Sequence, residues 1–262
     1  MFATLGILQP QKSFYRRVLR RKVKDTFSCS RVTLPNDFSF YHIQLTHDPD
    51  LPLPWDRIAQ TAGAFRSRLL LPQGMTVAGD ADAAAFLPQK LPLRLLCNSS
   101  VRMLEQLQLP AQQQNLCVFD PQGVLWDALE PFVPLVAQLR VVTDDLLAYG
   151  ETAERFRRKY GLSLLLTPDD TDAAQSNLLL IDNAADVPLT YEGRVFTNHP
   201  VPRMNAAVYT PAPPELPPDF AALCPPEIDP LVFASAAYEL CAADTLGELW
   251  SPMREQLTVN SL

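Results

Sequence analysis

A chain of 262 residues, 47% of them apolar, can fill one large domain or two modest ones, and such a composition excludes a chain that is disordered throughout. Nine glycines against 25 prolines argue against a phosphate-gripping loop, because backbone approaches phosphate most closely where glycine stands. The net charge of −7 is uneven: Lys12, Arg16, Arg17, Arg20, Arg21, Lys22 and Lys24 carry +7 with no acid among them, so the remainder carries −14.

The first ten residues have neither a long apolar run nor a cleavage site, and the basic run follows them, so no signal peptide is expected. No uncharged apolar segment nears the roughly 20 residues that cross a bilayer, and a cytoplasmic location is expected. The basic segment 12–24 also carries Phe14, Val18, Leu19 and Val23 near helical spacing. It reads as an amphipathic arm for an anionic partner or membrane surface, or as a solvated element on the acidic body. Nucleic acid is not an expected partner.

Alternation over 26–46 predicts two strands with a turn at 35–37. Pro54 and the apolar positions Ile58, Ala59, Ala62, Phe65 and Leu69 predict a helix with proline near its first turn. A strand over 93–97 and a helix capped by Asn98 or Ser99 complete an N-terminal α/β domain over 1–110. The Gln-rich stretch 110–114 is its boundary.

Continuous apolar runs at 116–119, 139–142, 162–166 and 178–181 then read as parallel strands buried on both faces, with a fifth at 194–197. A helix is expected to start at 124–129 after the turn 120–123, and another over 151–160 with Gly161 as its C-cap. The fold class expected is α/β: a Rossmann-like parallel sheet over 115–205 with a smaller N-terminal α/β domain. Crowded prolines make 206–228 an extended connector. Asp229 and Pro230 then cap and start a helix within 229–250 that packs back on the body.

The layout from Leu116 to Asp182 resembles the cofactor domain of NAD(P)-dependent dehydrogenases of the shikimate dehydrogenase and glutamyl-tRNA reductase type. In that family a charged helix follows the second strand, and here that helix reads Glu154-Arg155-Phe156-Arg157-Arg158-Lys159-Tyr160-Gly161. The resemblance implies a cleft beside Asp120, Gln122, Gly123, Thr143, Asp144, Asp182 and Asn183. The glycine-rich turn itself is missing. Laid on GxGxxG, the chain puts Asp120, Gln122 and Leu125 at the three glycine positions. A carboxylate there repels diphosphate, Gln122 fills its space, and Pro121 removes an amide donor. The acidic 143–145 disfavours the 2′-phosphate of NADP. The expected protein is therefore a divergent, non-catalytic relative with a binding or regulatory role and no assigned cofactor. An NAD-dependent oxidoreductase with an atypical phosphate loop is an alternative.

The stretch Phe119-Asp120-Pro121-Gln122-Gly123-Val124-Leu125-Trp126-Asp127 also resembles the first motif of the haloacid dehalogenase superfamily. That resemblance implies Asp120 as nucleophile, Thr143 as the second-motif hydroxyl, Lys159 as the charge-stabilising lysine, and Asp120, Asp169 and Asp170 around magnesium. Gln122 stands where the phosphatases of that superfamily place a second, proton-donating Asp.

The remaining candidates have plain structural readings. His42, His47 and His199 are far apart, so they read as separate side chains before they read as a metal set. The group Asp169, Asp170 and Asp172 reads as a solvated loop, and Asp182-Asn183 as a turn. The five scattered cysteines, none in CxxC spacing, read as reduced thiols, with Cys117 in the core.

Overall fold

In the computed structural model, which describes residues 1–10, 25–169, 173, 175–182, 191–199 and 205–256, the apolar runs of the second half become strands in the expected order. The basic arm 12–24 and residues Asp170, Asp172 and Asn183 lie outside the described residues. Two units divide the chain: Met1–Pro88 with Leu216–Leu246, and Gln89–Glu215 with Gly247–Leu262. The division thus falls ahead of residue 110, and the C-terminal helix belongs to the first unit.

The first unit holds a four-stranded sheet in the order β2-β3-β1-β4, formed by β1 (Ala3–Leu8), β2 (Thr26–Thr33), β3 (Ser39–Thr46) and β4 (Leu69–Leu70). β1 runs parallel to β3 and β4, while β2 and β3 are antiparallel, as the alternation over 26–46 predicts. The sequence reading missed β1, whose short run Phe2 to Leu8 shows no alternation because both faces are buried. One face packs Ala3, Leu5, Ile43 and Leu45 against Ile58 and Ala62 of α1 (Trp55–Ala62). This helix is shorter than expected: a 3₁₀ turn follows it, and Leu69 belongs to β4. On the other face Phe2 stacks on Phe40, and both meet Phe233 edge-on.

The second unit begins with α2 (Lys90–Leu107), one continuous helix where the sequence suggested a strand and then a helix. The reason is length and propensity. Leu91, Leu95, Leu96, Val101 and Leu104 are buried on several sides of the helix, leucine favours helix, and Pro92 sits in the first turn, where a missing N–H is harmless. Asn98 and Ser99, expected as caps, instead hold the returning C-terminal segment. Asn98 Nδ2 donates to the carbonyls of Gly247 (2.9 Å) and Leu249 (2.8 Å), and Ser99 Oγ accepts from Ser251 N (2.9 Å).

The large sheet has the order β11-β10-β9-β8-β5-β6-β7. Its strands are β5 (Asn115–Phe119), β6 (Gln138–Val142), β7 (Leu164–Thr167), β8 (Leu178–Leu180), β9 (Arg194–Phe196), β10 (Ala207–Pro211) and β11 (Met253–Gln256). All pairings are parallel except that of β10 with β11. Counted from β5, this is the 3-2-1-4-5-6 order of the dinucleotide-binding α/β fold with one antiparallel strand added at the edge. The fold is α/β, with a Rossmann-like parallel sheet. Strand β10 occupies the start of the stretch read as an extended connector. The prolines fall at its end, at Pro211, and beyond it, where Pro218 opens the short helix α4 (Pro218–Ala221), so its own amides remain free to pair.

Alternation along the strands divides the core. Leu116, Val118, Leu139, Val141, Leu178 and Leu180 pack with α2 on one face, while Cys117, Leu179, Val195 and Val208 face the other. Helix α3 (Gly150–Tyr160) buries Phe156 on the first face and ends at Gly161 in the left-handed conformation, φ 68°, as expected. Helix α5 (Pro230–Cys241) starts as the sequence predicts, with the Asp229 carboxylate accepting from Leu231 N and Val232 N. Among the described residues, no helix is long and apolar enough to cross a membrane.

Candidate functional site

In a sheet of this order, ligand sites form at the carboxyl ends of the strands, where the winding reverses, here between β5 and β8. Hydrogen bonds continue the register one or two residues past the strands: Asp120 N to Val142 O, Thr143 N to Thr167 O, and Asn198 N to Asp182 O. Thr143, Asp120, Asp182 and Asn198 therefore stand in a row along this edge.

Between β5 and β6 the structure departs from the expected layout. No α-helix starts at 124–129; the connection is a turn, an irregular segment and a 3₁₀ helix, Glu130–Leu135. Pro131 and Pro134 within it each lack an N–H, which prevents a regular helical ladder. The phosphate-facing helix N-terminus of a dinucleotide site is thus missing. In its place Asp120, with no solvent exposure, turns its carboxylate inward. Oδ2 accepts from Leu125 N at 2.7 Å and from the Tyr149 hydroxyl at 2.5 Å, while Oδ1 is buried without a partner among the described residues. Burial pushes the Tyr149 pKa well up, and the adjacent Asp120 carboxylate pushes it further, so the phenol keeps its proton and donates.

Several bonds fix the turn around this carboxylate. Gly123 N donates to Asp120 O at 3.1 Å, and Asp144 N donates to Pro121 O at 3.2 Å. Gly123 has φ 65°, and a β-carbon there would lie 2.9 Å from that of Ala148 and 3.1 Å from that of Asp145. Only glycine fits both conditions. Thr143, nearly fully buried, accepts from Asp145 N through Oγ1, and Thr152 Oγ1 ties α3 to the carbonyl of Trp126 at 2.8 Å. Gln122 and Asp144 face solvent on the outside of the turn.

Beyond β8 and β9 lies a second, more open group. The Asp182 carboxylate accepts from Asn198 Nδ2 at 2.6 Å, its other oxygen lies 3.9 Å from His199 Nε2, and Thr197 Oγ1 donates to the Asp182 carbonyl at 2.8 Å. Asn198 Nδ2 also reaches the carbonyl of Pro92, in the first turn of α2, at 3.2 Å. The side chains of Asp182 and His199 are 49% and 60% exposed, so ligands can reach both.

The dehalogenase-type set is not gathered. Asp120 has no solvent-facing oxygen with which to attack a substrate. Lys159 pairs with Glu130 at 2.8 Å near the far end of α3, about 14 Å along the helix axis from its start beside the turn. Asp169 follows β7, two strands and about 10 Å away from β5. Among the described residues, no group of three or more His, Cys, Asp or Glu could hold a metal. The three histidines are likewise separate: His42 bonds Thr4, His47 bonds Asp25, and His199 stands in the other unit.

Tyr149, Thr197 and Asn198 were not singled out from sequence. Tyr149 carries no signal there beyond its place before a helix. Thr197, Asn198 and His199 become visible once 194–196 is laid parallel to 178–180, because that register sets Asn198 beside Asp182.

No family model matches the chain, and no curated protein matches it. Among solved structures, L-tryptophan dehydrogenase from Nostoc punctiforme is similar over 89% of this chain and 72% of its own, with 10% sequence identity and a TM-score of 0.31. A likeness at that level leaves the reading of the site to its own geometry.

Proposed function

We propose that this protein is a Rossmann-like binding or regulatory protein that does not grip a dinucleotide through the turn after β5. The observation that carries the reading is the inward carboxylate of Asp120. The Leu125 amide, which an anionic ligand at this turn would seek, is already satisfied by the chain's own anion. Two further features support it. Among the described residues no α-helix starts directly after the turn, and the edge carries Asp144, Asp145, Asp169 and Asp182, which disfavour phosphate. Ligand recognition falls instead to Asp182, Asn198 and His199.

A second reading, an NAD-dependent oxidoreductase with an atypical phosphate loop, is favoured by one observation: an imidazole beside a carboxylate at the switch point. A thermal-shift panel with NAD, NADP, mononucleotides and magnesium separates the two. A ligand at 100 times its dissociation constant stabilises the fold by about 2.7 kcal/mol. No shift is expected with any of them, whereas a shift with NAD that Asp182→Ala removes would establish the second reading. Hydrolysis of a generic phosphate ester, lost in Asp120→Asn, would overturn both.

A further inference from the structure

The first unit contains a polar cluster on the sheet face that carries Phe2, Phe40 and Phe233. Thr4 pairs with His42 across β1 and β3, and strand alternation places Phe2, Thr4 and Gly6 on this same face. Thr4 is fully buried, and its hydroxyl lies 2.8 Å from His42 Nδ1, which fixes the plane of the imidazole. Where Gly6 has no side chain, two groups lean over the backbone. A β-carbon at Gly6 would sit 3.2 Å from Cε1 and 3.6 Å from Nε2 of His42, and 3.7 Å from the carboxyl carbon of Glu227.

These contacts place His42 Nε2 and the Glu227 carboxyl carbon within about 7 Å of each other, a span that one bridging group can cover. The two side chains form no direct ion pair. Glu227 Oε2 is buried and accepts no hydrogen bond among the described residues, and the bond of His42 to Thr4 is made through Nδ1, not Nε2. The Glu227 backbone is held in place by Gln73 N, which donates to its carbonyl at 3.3 Å. A carboxylate oxygen buried without a donor is costly, so the site calls for a donor, and a positively charged one in particular.

We propose that Gly6, His42 and Glu227 form a binding position for the primary ammonium group of a small amine. In the tautomer with the proton on Nδ1, His42 donates to Thr4 Oγ1 and turns the Nε2 lone pair toward the site. Nε2 and Glu227 Oε2 then offer two acceptors and one negative charge, which an R–NH3⁺ group complements with two of its three protons. Burial pushes the His42 pKa down against the pull of Glu227, so at neutral pH the ring does not itself neutralise the carboxylate. Glycine at position 6 keeps this space open, since a β-carbon there would press on the imidazole.

The test is a titration of the full-length, ¹⁵N-labelled protein with methylammonium chloride, followed through the histidine ring nitrogens, against sodium chloride and methanol at equal concentrations. The expected result is a saturable shift of His42 Nε2 with methylammonium alone. His47 and His199 should stay unmoved, and affinity should fall at least tenfold in Glu227→Gln. No shift up to 100-fold excess, an equal shift with methanol or sodium chloride, or undiminished binding by Glu227→Gln would overturn the proposal. Should Glu227→Gln fail to fold, the comparison of methylammonium with methanol on the native chain still decides it.

Discussion

Asp120 and His47 show how single buried charges shape this chain. Asp120 satisfies two donors, Leu125 N and the Tyr149 hydroxyl, at the cost of one unpaired oxygen. Asp120→Ala leaves both donors buried without an acceptor, and we expect a loss on the order of 2–4 kcal/mol in urea unfolding. Asp120→Asn keeps an acceptor and removes the charge, so its loss should be smaller. His47 is almost fully buried, and both its ring nitrogens face acceptors: Asp25 Oδ1 at 2.8 Å from Nδ1, and the Leu51 carbonyl at 3.0 Å from Nε2. Only the imidazolium can donate to both. Burial pushes the His47 pKa down, but the Leu51 carbonyl and Asp25 carboxylate prevail and leave it raised above the unfolded value of 6.5. Because the folded value is the higher one, this stabilisation is fully present below pH 6.5 and is lost as the pH rises through the folded pKa. Unfolding free energies measured from pH 5 to 9 should therefore fall across that window in the native chain. The fall should be smaller in His47→Gln.

At the level of elements, two glycines with nearly the same φ predict losses of different size. Gly123 has no room for a β-carbon, and Gly161 has nothing within 4 Å of one. Gly123→Ala should cost about 2–4 kcal/mol, from strain plus overpacking, and Gly161→Ala about 1 kcal/mol, from strain alone. Equilibrium denaturation of the two variants checks the ranking; equal losses would show that the turn around Asp120 is less tightly closed than its contacts indicate. The same contrast explains what was legible in the sequence. Strands β5 to β9 and helices α3 and α5 announce themselves because continuous apolar runs, an Asp-Pro start and a Gly end are local signals. Residues 93–97 misread as a strand because a short leucine-rich run fits a buried strand and a buried helix equally well. Of the row of Thr143, Asp120, Asp182 and Asn198, the first three were candidates from the sequence and Asn198 was not. Parallel register brings those four together, and register is set by pairing, which no local pattern reveals.

For the molecule as a whole, the cysteines offer a reading of its integrity. Cys97, Cys117 and Cys241 are buried and Cys29 is exposed; burial pushes the Cys97 thiol up to about 12 and the Cys224 thiol up to about 11. Native alkylation at pH 8 with iodoacetamide should modify Cys29 and leave Cys97 and Cys117 untouched until unfolding, as read by mass spectrometry of the peptides. Early loss of Cys97 would mean that α2 opens separately from the rest of its unit. The internal carboxylate has a bearing on supply as well as on chemistry. A domain whose anion site is filled from outside is sturdier when its ligand is plentiful and frailer when it is scarce. Here the occupant of the turn after β5 is encoded in the chain, so the order of this turn should be the same at every ligand concentration, which hydrogen exchange of the Leu125 amide checks.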